Sequence, residues 1–129
     1  MGNPSKNKGT RAESAVVKFL NDHGLQAERR ALSGSEDKGD IKVLNKNGKP
    51  RIIEVKAGKQ THNPNRTQLE EWLRQARTEE FNSGMPCALC IVRYNRKLSD
   101  ADVYLQYEIP GFSSVREHLY LDEFVNEML

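Results

Sequence analysis

Apolar residues recur at helical spacing in three stretches of the chain, and each stretch predicts a helix. The first stripe follows the spacing i, i+3, i+4, i+7, i+8 and consists of Ala12, Ala15, Val16, Phe19 and Leu20. Its helix is predicted to begin at a Thr10 cap and to end before Gly24, where a left-handed cap is expected. The second stripe predicts a helix from about Thr67 to Phe81, and the third predicts a short helix at the C-terminus.

Between the helices, shorter apolar segments have the character of strands. The clearest signal is a pair of segments, 40–44 and 51–56, on either side of an Asn-Gly pair that predicts a hairpin turn. The other strand segments are 25–31, 87–94 and 103–109. The order αβββαββα predicts the α/β class, with a central mixed β-sheet flanked by helices.

The length of 129 residues accommodates one domain of ordinary size. We expect residues 1–9 to form a flexible basic arm and residues 10–129 to form the single domain. No apolar run approaches the ~18 residues of a membrane span, and the N-terminal segment lacks the apolar centre of a signal peptide. Cys87 and Cys90 lack partners at zinc spacing, so we expect reduced, buried thiols in a soluble, cytoplasmic protein without membrane contact.

Charge is distributed unevenly along the chain, although the net charge is only +2. Residues 1–66 contain 14 Lys or Arg against 7 Asp or Glu, whereas residues 67–129 contain 6 against 11. A basic half is typical of proteins that bind a polyanion such as nucleic acid. The alternative is a pair of solvated faces of opposite sign, and charge alone does not separate the two interpretations.

The predicted hairpin carries the best candidate for chemistry. Asp40 opens its first strand, and Glu54 and Lys56 lie two apart on its second, which places them on one face of the sheet. Strand pairing can bring Asp40 beside Glu54, and two carboxylates suit a hard divalent cation. With an adjacent lysine, the set suits metal-assisted phosphodiester hydrolysis. The alternative is a solvated strand face with an ordinary Glu–Lys surface pair.

Residues outside the hairpin also leave alternatives open. Thr10 and Glu13 match a capping box, but Glu13 also borders the apolar stripe, from where its carboxylate could reach the hairpin. Ser33 and Ser35 fit an ordinary loop as well as a site, and Gln68 fits the first turn of its helix. None of these residues identifies a function by itself.

Taken together, five segments resemble those of a known nuclease family. In chain order they read GTRAESAVVKFLNDHG, RRALSGS, KGDI, IIEVKAGK and TQLEEW. Their order and spacing, over roughly residues 8–95, resemble the archaeal-type Holliday junction resolvases of the PD-(D/E)XK nuclease superfamily. The resemblance implies a restriction-endonuclease-like fold for a nuclease domain at 10–129. It also implies an active site made of Glu13, Ser33 or Ser35, Asp40, Glu54 and Lys56.

The resemblance further implies an Mg²⁺-dependent DNA endonuclease, with Mn²⁺ expected to substitute, that resolves four-way junctions. The metal ligands would be Asp40, Glu54, the Val55 carbonyl and, directly or through water, Glu13, while Lys56 would orient the nucleophile. Paired symmetric nicks that leave 5′-phosphates imply a homodimer, because two nicks need two sites. The residues expected to contact the DNA are Lys6, Lys8, Arg11, Arg29, Arg30, Lys59, Arg66 and Gln68.

The chain departs from the family pattern at two positions. Gly39 stands where the family usually has proline, and Ser14 stands where an arginine often follows the helix glutamate. Arg11, Arg29 or Arg30 would then supply that phosphate contact, and residues after about 95 match nothing in the pattern. Two alternatives stay open: a nuclease of the same fold that acts on flap, fork or single-stranded DNA, and a catalytically silent DNA-binding module.

Overall fold

A six-stranded mixed sheet is the framework of the molecule. The computed structural model describes residues 4–30, 40–107, 111 and 115–129, and for residues 4–10 and Asp40 it describes the backbone alone. The helices are α1 (Pro4–Asp22), α2 (Arg66–Ser83) and α3 (Leu121–Met128), with 3-10 turns at Lys59–Thr61 and Leu98–Asp100. The strands are β1 (Gln26–Arg29), β2 (Asp40–Leu44), β3 (Pro50–Lys56), β4 (Cys87–Ile91), β5 (Asp102–Tyr107) and β6 (Val115–Tyr120).

The strands lie in the sheet in their chain order, from β1 to β6. Strands β1, β2 and β3 form an antiparallel meander, and β4, β5 and β6 form a second one. The two meanders meet where β3 pairs with β4 in parallel, and α2 is the crossover that makes this parallel pairing possible. The predicted α/β class with a mixed sheet is confirmed.

Helices cover both faces of the sheet. Successive side chains of each strand point to opposite faces, so each face has its own apolar cluster. One face contacts α1 and α3 through a cluster that includes Ile53, Val16 and Phe124. The opposite face contacts α2 through a cluster that includes Ile52 and Trp72. Each fully buried large apolar side chain contributes roughly 1.5–3 kcal/mol to folding, so the two clusters together fix the helices on the sheet.

The first helix begins at Pro4, so the prediction of a cap at Thr10 is wrong. Residues 4–9, which we expected to form an arm, are the first turns of this helix. Proline suits a first helical position, since its φ is already helical and its missing N–H has no helical partner to lose. Gly9 costs the helix only about 1 kcal/mol, which is too little to end it. Gly24 has the left-handed φ of 93° expected after the helix.

The second helix begins at Arg66, one residue earlier than predicted, and its N-cap was not predicted. The side chain of Asn65 accepts a hydrogen bond from the Gln68 N–H, which satisfies one of the free donors of the first turn. At the other end, Gly84 adopts φ 72° and donates its N–H to the Glu80 carbonyl. The expected glycine stop is therefore confirmed.

Strand β6 was not predicted, and β1 is shorter than the predicted segment 25–31. Strand β6 lies at the edge of the sheet, and its side chains are exposed or half-buried, so the sequence shows no apolar alternation there. The observed order is therefore αβββαβββα. The predicted terminal helix is confirmed as α3.

The described part of the chain contains no helix that is both long and apolar enough to cross a bilayer. Cys87 and Cys90 are both buried in β4, as predicted. Burial, helped by the negative charge of Asp102, raises the pKa of the Cys90 thiol to about 12. The thiol is therefore neutral at ordinary pH.

Candidate active site

Asp40 and Glu54 are direct partners in the register of the β2–β3 hairpin. The turn that sets this register is held by Asn45, whose side-chain oxygen accepts hydrogen bonds from the N–H groups of Asn47 and Lys49 at 2.9 Å each. Gly48, at φ 78°, supplies the left-handed residue that the turn requires. The expectation that the hairpin brings Asp40 opposite Glu54 is confirmed.

Lys56 is the nearest described cation to the Glu54 carboxylate. Its Nζ lies 3.5 Å from Glu54 Oε1, and Glu54 is only 8% exposed. The two residues share a face of β3 with Ile52, which is the face covered by α2. A buried carboxylate costs free energy unless a cation or a hydrogen-bond donor compensates it. The pair therefore presents a carboxylate and an ammonium group together in a largely desolvated position.

Glu13 is buried in α1, at 6% exposure, and is paired with an arginine of β1. Its Oε2 accepts a hydrogen bond from Arg29 Nε at 2.9 Å. Glu13 lies well inside a helix that begins at Pro4, so the capping-box interpretation is wrong. Arg29 is opposite Ile41 in the register, on the face of the sheet that contacts α1.

Arg30, the next residue, is paired with the helix on the other face. Its Nη1 lies 2.5 Å from Oε1 of Glu79, a buried residue of α2. The two consecutive arginines at the end of β1 thus connect this strand to α1 and to α2. Arg29 and Arg30, which are predicted to contact phosphates, also compensate buried carboxylates. Their contact with DNA stays a prediction. They also fix the end of β1 just before the segment 31–39, which leads to Asp40.

The other predicted contacts differ in how well they are placed to meet DNA. Arg11, Lys59 and Arg66 are exposed, while Gln68 is half-buried in the first turn of α2. Ser33 and Ser35 lie outside the described residues, as do the side chains of Lys6 and Lys8.

The loop after Lys56 is held against the end of β4 by Thr61. Its buried hydroxyl lies 2.7 Å from the Gly58 carbonyl and 3.0 Å from the Val92 carbonyl, and it accepts a hydrogen bond from the Tyr94 N–H. This contact fixes the 3-10 turn that begins with Lys59, so the position of Lys59 close to the end of β3 is set by the fold.

The donor set at the hairpin fits a hard divalent cation, because Asp40 and Glu54 supply carboxylate oxygens. Among the described side chains, a set that excludes Asp40, no group of three His, Cys, Asp or Glu could hold a metal ion. The zinc half-site that Cys87 and Cys90 could have formed is therefore not completed by any described ligand.

Sequence reasoning missed a second polar cluster, at β5 and β6. Asp102 is 5% exposed and pairs with both Arg93 and His118. These residues are separated by up to 25 positions and follow no motif. The only signal in the sequence is a charged residue at the start of an apolar alternating segment.

Comparison with known proteins identifies the family of this domain. The family model described as phage putative PDDEXK endonuclease matches residues 4–127. The chain therefore belongs to this family of PD-(D/E)XK endonucleases. The match extends from α1 into α3, so the residues after 95, which resemble nothing in the resolvase pattern, are part of the family's domain.

Among solved structures, the chain is similar to Hjc of Archaeoglobus fulgidus, described as a Holliday junction resolvase from an archaeal hyperthermophile. The TM-score is 0.55 at 19% sequence identity, and the match covers 90% of this chain and 98% of that one. At this identity the similarity establishes the fold, and it confirms the predicted restriction-endonuclease-like architecture. No curated protein shows a significant sequence match to the chain.

Proposed function

We propose that this PD-(D/E)XK endonuclease is a metal-dependent enzyme that cuts branched DNA, with the four-way junction as its preferred substrate. The observation that carries the proposal is the register of the hairpin. It pairs Asp40 with Glu54 and leaves Lys56 at 3.5 Å from the Glu54 carboxylate, in the order that an endonuclease of this superfamily needs.

Asp40, Glu54 and the Val55 carbonyl would hold Mg²⁺, for which Mn²⁺ would substitute. A bound divalent ion lowers the pKa of a coordinated water and offsets charge that develops on the phosphate. Oxygen donors of this kind are the ligands that Mg²⁺ prefers, and a site with few protein ligands leaves room for water and phosphate oxygens. Glu54 is well suited to this role, because a buried carboxylate gains most from a cation.

Lys56 would hold the attacking water or a phosphate oxygen. Its side chain is 19% exposed, so its ammonium group acts in a partly desolvated place where electrostatic interactions are stronger than in water. Ser33, Ser35 and Gln68 would add polar contacts to the scissile phosphate.

Glu13 would act on this site as a positioning residue through Arg29. The 2.9 Å ion pair occupies one oxygen of its carboxylate and ties α1 to the end of β1. This role differs from the metal ligand that the family resemblance implies, and the two roles are separable by experiment.

The DNA backbone would be met by exposed cations around the site. Arg11 on α1, Lys59 after β3 and Arg66 at the start of α2 are exposed, and Lys6 and Lys8 precede Arg11 on the same helix. Such phosphate contacts position a duplex without reading its sequence.

The preference for a four-way junction rests on the fold shared with a protein described as a Holliday junction resolvase. Paired symmetric nicks would require a homodimer with two active sites. A nuclease of the same fold that cuts flaps, forks or single strands is the second candidate, because the hairpin site by itself can hydrolyse any of these phosphodiesters.

The experiment is a cleavage assay on a matched panel of labelled DNA: duplex, flap, fork, single strand and four-way junction. Each is incubated with Mg²⁺, Mn²⁺ or EDTA. We expect symmetric nicks in the junction with either metal, ligatable 5′-phosphate ends, and no cleavage in EDTA. Equal cleavage in EDTA would contradict metal dependence. Faster cleavage of flaps or single strands than of junctions would favour the second candidate.

A further inference from the structure

The second polar cluster lies at the start of β5 and is built around a buried carboxylate. Asp102 Oδ2 accepts a short hydrogen bond from Arg93 Nε, and Asp102 Oδ1 lies 2.6 Å from His118 Nε2. Since the carboxylate oxygen is the acceptor, Nε2 of His118 is the donor. A histidine held in this way has one tautomer and one orientation.

Two aromatic rings fix His118 further. The Tyr104 ring stacks on it with centroids 4.8 Å apart, and the Tyr120 ring meets it edge-on at 5.4 Å. Burial, together with the charge of Asp102, raises the pKa of Tyr104, so this phenol is neutral. The His118 side chain is nevertheless 41% exposed, so the cluster holds a polar ring in a fixed orientation at the surface.

The position of His118 relates it to the hairpin site. Glu54 pairs with Leu89, Leu89 with Tyr104, and Tyr104 with His118, so one row across the sheet joins Glu54 to His118. Three strand spacings of about 4.8 Å place their Cα atoms about 14 Å apart on the same face.

The surface between the two sites carries cations and aromatic rings. The segment after β4 contains Arg93, the exposed Tyr94, Arg96 and Lys97. Tyr94 also meets His62, from the loop after Lys56, with ring centroids 6.2 Å apart. The loop after β3 and the segment after β4 are thus in contact at this end of the sheet.

The charges that face His118 define what it can bind. Arg93 compensates Asp102, and Arg116 is occupied by two hydrogen bonds to Glu70 of α2. Tyr104 and Tyr120 are the other titratable groups in contact with the ring. A proton on Nδ1 would therefore give the cluster a net positive charge and a directed N–H donor, which suits a phosphate oxygen.

We propose that His118 is a DNA-phosphate contact, oriented by Asp102 and Arg93, that holds the backbone about 14 Å from the hairpin site. The inference rests on the proposed function, because it takes DNA as the ligand. The contact requires the protonated ring, which carries an N–H donor at Nδ1 as well as at Nε2. His118 does not touch the reacting atoms in this arrangement, so it would contribute to binding and to the placement of the strand.

The test is the binding of the full-length protein to a labelled four-way junction in EDTA, at about pH 6 and about pH 8, over a series of salt concentrations. Wild type should bind more tightly at the lower pH. His118→Gln, which keeps a polar side chain but cannot gain charge, should lower affinity about fivefold at pH 6 and reduce the salt slope by about one per subunit. It should also weaken the pH dependence. His23→Gln, at an exposed histidine directly after α1, is the matched control and should behave like wild type.

Three further measurements separate the possible outcomes. Asp102→Asn should reduce affinity in the wild-type background and have no further effect on binding in the His118→Gln background; an undiminished effect there would contradict orientation through His118. Cleavage at subsaturating DNA should fall in His118→Gln in step with its affinity, with a thermal melt of the same variant as the folding control. Inorganic phosphate alone, followed by the His118 NMR resonance, tests a free anion as the ligand: a response to phosphate without one to DNA would overturn the proposal.

The failure of this inference is distinguishable from that of the proposed function. If wild type binds and cuts DNA but His118→Gln has the same affinity, salt slope and pH dependence, only the inference is wrong. If wild type neither binds nor cuts any DNA of the panel, the proposed function is wrong, and the inference fails with it.

Discussion

Arg29 donates a hydrogen bond from Nε to Glu13 Oε2 at 2.9 Å, and this contact joins the end of β1 to a buried position of α1. The two residues are 16 positions apart, and the contact lies just before the segment that leads to Asp40. We propose that Glu13 acts through this contact, whereas the family resemblance implies a metal ligand.

The ion pair predicts a specific pattern of stabilities. Arg29→Met should destabilise the protein by about 1–2 kcal/mol, because it removes a partly exposed partner from a buried carboxylate. Glu13→Gln should cost less, since it leaves no buried charge, and in the Arg29→Met background it should restore stability. Urea unfolding of wild type, the two single variants and the double variant measures the free energies of unfolding that this comparison needs. Strictly additive losses would contradict the pairing.

The same variants separate a positioning role of Glu13 from a metal role. If Glu13 acts through Arg29, Glu13→Gln and Arg29→Met should slow single-turnover cleavage to a similar degree. If Glu13 binds the metal, Glu13→Gln alone should cost at least about tenfold in rate, or about 1.4 kcal/mol of barrier. We expect the first pattern. A large loss confined to the glutamate variant would contradict it.

Lys56 should be essential for cleavage and dispensable for DNA binding. Lys56→Gln removes the cation at 3.5 Å from Glu54, so cleavage should fall about a hundredfold or more while junction affinity changes little. Lys42→Gln, a half-buried lysine on the neighbouring strand β2, is the matched control and should retain activity. Single-turnover rates at saturating DNA measure the effect, and near-equal rates for the two variants would argue against a role of Lys56.

Because burial raises the pKa of the Cys90 thiol, we expect the protein to lose stability at alkaline pH. The pKa of the thiol in the folded protein is about 12, whereas an unfolded thiol loses its proton near the ordinary pKa of 9.0. The unfolded state therefore binds fewer protons above pH 9, and the stability contributed by the neutral thiol falls as pH rises between these values. At pH about 10 the loss is about 1.4 kcal/mol. Wild type should lose this much more than Cys90→Ala between about pH 8 and pH 10, by urea unfolding; parallel losses would contradict it.

The helical start of α1 changes how the basic N-terminal residues are best tested. Lys6 and Lys8 belong to a helix that begins at Pro4, so truncation would also shorten the helix. Replacing both by Gln preserves helix propensity and removes two charges. The slope of log K against log salt for junction binding should then fall by roughly one to two per subunit. An unchanged slope would show that these lysines do not contact DNA.

The hairpin could be predicted from sequence because its determinants are local. The Asn-Gly pair and the alternating residues on either side fix the register that puts Asp40 opposite Glu54. Spacing alone left open whether these residues form an active site or an ordinary surface pair. The family resemblance implies that they form a nuclease active site.

The ion pairs could not be predicted, because their partners are distant in sequence. Arg30 meets Glu79 across 49 positions, and only the packing of α2 on the sheet brings them together. From the sequence, Arg29 and Arg30 are predicted to contact phosphates. The sequence alone does not show that these arginines also pair with buried carboxylates.

Strand β6 and its histidine were missed for a related reason. An edge strand with exposed or half-buried side chains has no apolar alternation, and His118 gains its surroundings only when β6 pairs with β5. The polar residues of this region therefore looked scattered, although the fold groups them around Asp102.

The central claim is that Asp40 and Glu54 form the catalytic metal site of a DNA endonuclease. The most direct test is single-turnover cleavage of a labelled four-way junction in Mg²⁺ by Asp40→Asn and Glu54→Gln, with Glu28→Gln, an exposed carboxylate on β1, as control. We predict that both site variants lose at least about a hundredfold in rate, or about 2.7 kcal/mol of barrier, while they bind the junction as tightly as wild type or more tightly. Near-wild-type cleavage by either site variant would contradict the account.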